Sequence, residues 1–149
     1  MNKLCLKVGV IFIIAIFMSG CAVNRATATI DPTADLTGIK SIYVNKLAAD
    51  GRGINQLIAK KLTDMGYQAS TGLSIDAPSD VDAVVTYEDR WMWDITMYMI
   101  ELTVTIREPK TEFPLASGNS FHTSLTRKSP EEMVSEVINN IFAKGNNNG

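Results

Sequence analysis

The single histidine, His122, sets the limit on the chemistry this chain can attempt. Metal sites built on several imidazoles are excluded, and a Ser-His-Asp arrangement would have to use His122. No nucleophile-elbow pattern accompanies it. His122 lies in the run Asn119-Ser120-Phe121-His122-Thr123-Ser124 and reads as a solvated residue of a polar strand. Asp76, Asp80 and Asp82 carry the oxygens calcium prefers, but the EF-hand spacing with its closing glutamate is missing, so they read as solvating loop acids. Glu88 and Asp89 are neighbours in a strand pattern and point to opposite faces, which argues against one shared acid/base site. No P-loop, GxGxxG or CxxC motif follows residue 20, and Gly51-Arg52-Gly53 is too short for a phosphate loop. The expectation is a chain with no catalytic residues, no metal and no cofactor.

Two cysteines remain to be explained, and their positions separate them. Lys3 and Lys7 give a positive start, and Val8 to Met18 is an uninterrupted apolar run of eleven residues. As a helix that run rises about 16 Å, well short of the roughly 30 Å of a bilayer core. It reads as a signal-peptide core, with Cys5 inside it. Met18-Ser19-Gly20-Cys21 resembles a bacterial lipoprotein box, in which the signal is cut before the cysteine and the cysteine is acylated. Met18 departs from the usual leucine. The alternative is an ordinary thiol after a conventional cleavage site. The resemblance implies residues 1–20 as signal peptide, Cys21 as the lipidated residue, and a membrane partner through its acyl chains. Three such chains make attachment effectively permanent. Ala22, rather than aspartate, after the cysteine resembles the outer-membrane default of proteobacterial lipoproteins.

Losing residues 1–20 removes two lysines from the 149-residue chain, leaving 12 basic against 16 acidic side chains and a formal charge of −4. Nucleic-acid binding needs clustered Lys and Arg. Here Lys60-Lys61 and Arg127-Lys128 are the basic pairs, and each reads as a solvated face.

Residues 21–35, the lipidated cysteine and the small, polar, proline-containing stretch after it, read as a tether. Ile39 to Asn45 is a first strand. Asp50-Gly51-Arg52-Gly53 turns into a helix whose stripe is Ile54, Leu57, Ile58, Leu62 and Met65, stopped at Gly66. Tyr67 to Thr71 is a short strand. Asp82 to Glu108 reads as two long strands folded back on each other. Phe113 to Thr126 is a further strand with a bulge or bend expected at Gly118-Asn119. Ser129-Pro130-Glu131-Glu132 is a helix start with a capping box, and Gly145 is expected to end that helix. The spacing predicts an α+β two-layer sandwich over residues 36–143, in the order β-α-β-β-β-β-α. Its mostly antiparallel sheet has four or five strands, with two helices on one face and a disordered tail at 144–149. This order behind a lipobox resembles small periplasmic lipoproteins, such as the lipopolysaccharide-assembly lipoprotein and the auxiliary lipoproteins of transport systems. The run TYEDRWMWDITMY resembles a segment of uncharacterised bacterial lipoproteins, and no functional residue carries over from it.

The central hairpin holds the candidate binding residues. Ala83, Val85 and Tyr87 are odd-numbered, whereas Ile100, Leu102, Val104 and Ile106 are even, so opposed residues must sum to an odd number for both sets to face one core. The spacing favours 187 and a loop of about four residues. Toward the turn, Trp91, Trp93 and Tyr98 continue the inner face, and Met92, Ile95, Met97 and Met99 replace the polar residues of the outer one. Either the C-terminal helix or a loop covers that row, or a bulge turns it inward, or it is an exposed contact patch. Trp91, Met92, Trp93, Ile95, Met97 and Met99 are the candidate residues for an envelope protein partner or a second copy. The expected role is a non-catalytic binding or assembly component, anchored on the periplasmic face of the outer membrane. The alternative is a carrier for a lipid or other apolar ligand held between sheet and helices.

Overall fold

The computed structural model describes residues 24–146. The signal region, Cys21 and residues 147–149 lie outside the described residues. The elements are β1 (Asn24–Ile30), β2 (Ser41–Asn45), α1 (Ile54–Asp64), β3 (Gln68–Gly72), β4 (Ala83–Asp94), β5 (Thr96–Arg107), β6 (Pro114–His122) and α2 (Pro130–Asn146). They build a six-stranded mixed sheet in the order β1-β6-β5-β4-β2-β3. The run from β1 to β4 is antiparallel, while β2 is parallel to both β4 and β3. A parallel pair needs a crossover between its strands, and α1 supplies it between β2 and β3.

Strand alternation sets which face becomes core. The register aligns Ile42 with Ala83, Val85 with Ile106, Tyr87 with Val104 and Val104 with Gly118, so these residues share one face. The helices bury Ile54, Ile58 and Leu62 of α1 and Met133, Val137, Ile138 and Ile141 of α2, all within the same cluster as that sheet face. Each such side chain contributes about 1.5–3 kcal/mol on leaving water. α1 lies over β2 and β3, α2 over β1, β5 and β6, and the helices touch each other. The opposite face carries Thr86, Thr103, Thr105 and Ser117, as a sheet wet on one side should.

Both helix starts are held by carboxylates. Ser129 Oγ accepts the Glu132 N–H at 3.2 Å, and Glu132 Oε2 accepts the Ser129 N–H at 2.8 Å, which is the expected capping box. Gly66 follows α1 with φ 98°, a conformation that favours glycine.

Five expectations are corrected. The stretch expected as a tether forms β1, paired along its length with β6. Its Ala and Thr residues carry a weak strand signal by themselves. The open edge of β6 recruits them, and Ala28 and Ile30 then pack against the core. The sheet therefore has six strands rather than four or five. The tail expected from residue 144 is still helical through Asn146, and Lys144 Nζ donates to the Ala28 carbonyl at 2.8 Å. Gly145 lies inside α2, where an added Cβ would sit 3.1 Å from Leu36 Cδ1. Gly118 does not bend β6. A Cβ there would lie 2.9 Å from Ile141 Cγ1 and Val137 Cγ1, so glycine lets α2 approach the strand; the register shift falls at Ile106/Arg107 instead.

Candidate functional site

From Val84 to Arg90 the β4–β5 hairpin pairs with odd sums as expected, but at 191 rather than 187, with Val85 opposite Ile106 and Tyr87 opposite Val104; from Trp91 to Asp94 the sum is 190. The strands also run further than a four-residue loop allows. Asp94 pairs with Thr96, leaving Ile95 alone at the turn. Between Arg90–Glu101 and Trp91–Met99 the register shifts, and Ile100 is the extra residue. Such a bulge reverses the facing of everything beyond it on one strand. Met97 and Met99 therefore join the face of Trp91 and Trp93, and Tyr98 joins that of Met92.

This corrects part of the candidate list. Met99 is a core residue, 1% exposed. Trp91 is half-buried and packed against the core, and Tyr98 is buried. Met92, Trp93, Ile95 and Met97 are exposed, Trp93 at 71% and Ile95 at 87%. One apolar face thus begins inside the molecule at Tyr87 and Met99, passes Trp91, and emerges into solvent as Trp93 and Met97.

The projecting arm is braced on both faces. Arg52, from the loop before α1, stacks over the Trp91 ring at 4.1 Å, while the Trp91 indole donates to Asp89. On the other face Arg127 lies 4.7 Å over the Tyr98 ring, donates to Thr96 Oγ1 at 2.8 Å and approaches Asp94 at 3.8 Å. Such cation–π contacts contribute about 0.5–2 kcal/mol each. At the turn Ile95 has φ 61°, an outlier for a β-branched side chain. A strained, solvent-facing isoleucine gains nothing for the fold where asparagine or glycine would fit.

The polar residues singled out by type are placed elsewhere and mostly hold the fold together. His122 is 4% exposed, not solvated, because β6 turns it toward α2 together with Ser120. Glu136 Oε2 accepts from Ser120 Oγ at 2.6 Å and from His122 Nε2 at 2.7 Å, and its other oxygen takes Lys128. Burial pushes the Glu136 carboxyl up, but hydrogen bonds from Lys128, Ser120 and His122 outweigh that and hold it at about 2. Since that carboxylate only accepts, His122 donates through Nε2, and its Nδ1 is buried without a partner. Ser120 donates to Glu136 rather than to His122, so the two do not form a serine–histidine pair. Arg127 and Lys128 are thus engaged, not an idle basic face.

Asp50 is 8% exposed and accepts four hydrogen bonds, from the N–H groups of Arg52, Gly53 and Asn55 and from the Tyr87 hydroxyl at 2.6 Å. Burial again raises its pKa, and the Tyr87, Asn55 and Arg52 hydrogen bonds bring it down to about 2. Asp82 accepts from both Lys40 and Ser41 and ties β4 to β2. Among the described residues no group of three or more His, Cys, Asp or Glu could hold a metal ion. Glu88 and Asp89 do point to opposite faces, Asp89 toward Trp91.

Asp50 and Glu136 give the fold an acid limit with a definite sign. Both folded pKa values lie below the ordinary 3.8 and 4.5, so their stabilisation is complete above the ordinary values and is lost as pH falls through about 2. Through these two groups, urea unfolding should show stability falling between pH 4.5 and 2. Glu136→Gln should flatten part of that slope; a slope identical to wild type would contradict the assignment.

No protein-family model matches the chain, and no curated protein does. Solved structures share its fold. The PelC dodecamer from Paraburkholderia phytofirmans superposes with a TM-score of 0.57 at 12% identity, over 80% of this chain and 98% of that one. A point variant of the same dodecamer gives 0.57 at 13% identity, over 78% and 96%. At such identity the likeness is one of fold.

A cavity of about 620 Å³ opens on the helix-free face, lined by Thr86, Glu88, Thr103, Thr105 and Arg107 among others. The lining mixes these polar groups with Leu47, Ala77, Val84, Tyr87 and Pro109, while the sheet and helices pack their buried side chains into one core cluster. Arg52 and Arg127 are the tip residues that residue-type reasoning missed. Their partners lie 39 and about 30 positions away, so no local pattern marks them.

Proposed function

We propose that this chain is a lipid-anchored, non-catalytic binding and assembly component of a bacterial cell envelope. It is acylated at Cys21, held on the periplasmic face of the outer membrane, and makes contact through the hairpin tip. The observation that carries this reading is the exposed apolar end of the hairpin, with Trp93, Ile95, Met92 and Met97 held out by Arg52 and Arg127. A solvent-facing apolar cluster on a rigid arm costs solubility and is retained where it meets something. Methionine adapts to a surface, and tryptophan suits a boundary that is half wet. The ordered signal and lipobox supply the anchor, and no helix of the described residues is long and apolar enough to cross a membrane. PelC is a dodecamer, and a homo-oligomer is one form such an assembly can take here.

A photo-crosslinking residue in place of Ile95 should form adducts in intact cells, with protein or lipid. The same residue in place of Thr105, on the polar sheet face, should form few. Adducts from Thr105 and none from Ile95 would overturn the assignment of the contact surface.

A further inference from the structure

The hairpin tip and the start of the described chain lie at the same end of the sheet. Asn24 opens β1 opposite His122, and Phe121 pairs with Glu101 of β5. From Glu101 the hairpin continues through Met99 and Met97 to Thr96, beyond the last paired residues of β6 and β1. On β4, Trp91 is level with Asn24 and His122, so the four residues from Met92 to Ile95 carry the turn about 14 Å past that level. Ser124–Thr126 follow β6 at the same end, where Thr126 donates to Asn24 and the neighbouring Leu125 is 85% exposed. Arg127 then ties this turn to Asp94 and Thr96 of the tip.

Cys21 stands three residues before Asn24. Three residues span at most about 10 Å. An acylated Cys21 fixed in the bilayer surface therefore holds that surface within about 10 Å of the β1 start. The arm that projects about 14 Å from the same end cannot stay clear of the bilayer unless the domain lies on its side.

We propose that the hairpin tip is a second membrane contact. Trp93, Ile95, Met97 and Leu125 enter the lipid interface beside the acyl chains and fix the orientation of the domain. This rests on the anchored reading above and names what the tip meets: lipid, rather than protein. The chemistry fits. Tryptophan favours the headgroup boundary, and from Trp91 to Met99 the tip carries a single charged residue, Asp94, which Arg127 faces at 3.8 Å. Arg25, 58% exposed at the β1 start and 3.4 Å from Glu101, adds a positive charge at this end that lipid phosphates could also meet. The left-handed Ile95 follows as well, since it places a large apolar side chain at the apex where a turn-favouring residue would place a polar one.

The test uses the full-length acylated protein in vesicles of phosphatidylethanolamine and phosphatidylglycerol. Tryptophan emission is read with lipids brominated near the headgroup and with aqueous iodide. The Trp93→Phe variant isolates the background of the covered Trp91. The Trp93 signal should be blue-shifted, quenched by the bromolipid and shielded from iodide. Ile95→Asn with Met97→Ser, which relieves backbone strain and leaves the core alone, should restore iodide access while the protein still floats with the vesicles. Flotation with Trp93 open to iodide and untouched by bromolipid would overturn the tip contact while sparing the anchor. Shielding that appears only as protein concentration rises would also overturn it and assign the tip to a second copy. Failure of the wild type to float would instead strike at the anchored reading itself.

Discussion

Met99→Ala lowers the unfolding free energy by about 3 kcal/mol, the cost of a cavity at a fully buried methionine. Met97→Ser, two residues away on the same strand face, changes it by no more than about 0.5 kcal/mol, as exposed positions do. The contrast comes from the bulge at Ile100, which turns both methionines to the helix side and leaves only Met99 far enough inward to be covered. Urea unfolding of the two variants checks it. Equal losses would mean that Met97 belongs to the core and that the exposed patch ends at Trp93 and Ile95. A negligible loss for Met99 would remove the bulge from the account.

Asp50→Ala should be the most damaging polar substitution, at about 4 kcal/mol. Its carboxylate takes three backbone N–H groups ahead of α1 and the buried Tyr87 hydroxyl, and hydrogen bonds to a charged group contribute about 1.5–3 kcal/mol each without adding fully. Alanine leaves all four donors without that acceptor. The Tyr87 hydroxyl cannot ionise to escape, because burial and Asp50 raise its pKa far above neutrality. Tyr87→Phe removes one of the four bonds and should cost about 1 kcal/mol. Chemical denaturation of the two variants decides the matter; if they cost the same, the loop N–H groups are satisfied by water and Asp50 is not the anchor of α1. The loss of Asp50 should also weaken the tip, since Arg52 reaches Trp91 from the same loop.

What could be read from the sequence was what strand and helix periods encode locally. Leu102, Val104 and Ile106 alternate with threonines because one face of β5 is buried, and that pattern survives intact in the structure. Ser129, Pro130 and Glu132 announce α2 because capping involves neighbours only. β1 was hidden because Ala26, Ala28 and Thr27 become a strand only once β6 offers its edge. The Ile100 bulge was hidden for a related reason. It depends on how two strands fit around the turn at Ile95, and a one-residue slip reverses a whole row of side chains. His122 looked solvated because its partner, Glu136, is on another element 14 residues on. For the tip, the residue types pointed to a contact patch, but its reach depended on Arg52 and Arg127, and its position relative to Cys21 on the direction of a strand that was not foreseen.

The central claim is that this domain is fixed to a membrane at the end from which its hairpin projects. Intact-mass measurement of the full-length gene product, extracted with detergent from its native membranes, tests it most directly. The account predicts a chain that begins at Cys21 and carries a diacylglyceryl group and an amide-linked acyl chain, with Cys21→Ser abolishing the modification and releasing the domain from the membrane fraction. An unmodified cysteine at that position, or a mature chain that begins elsewhere, would contradict it.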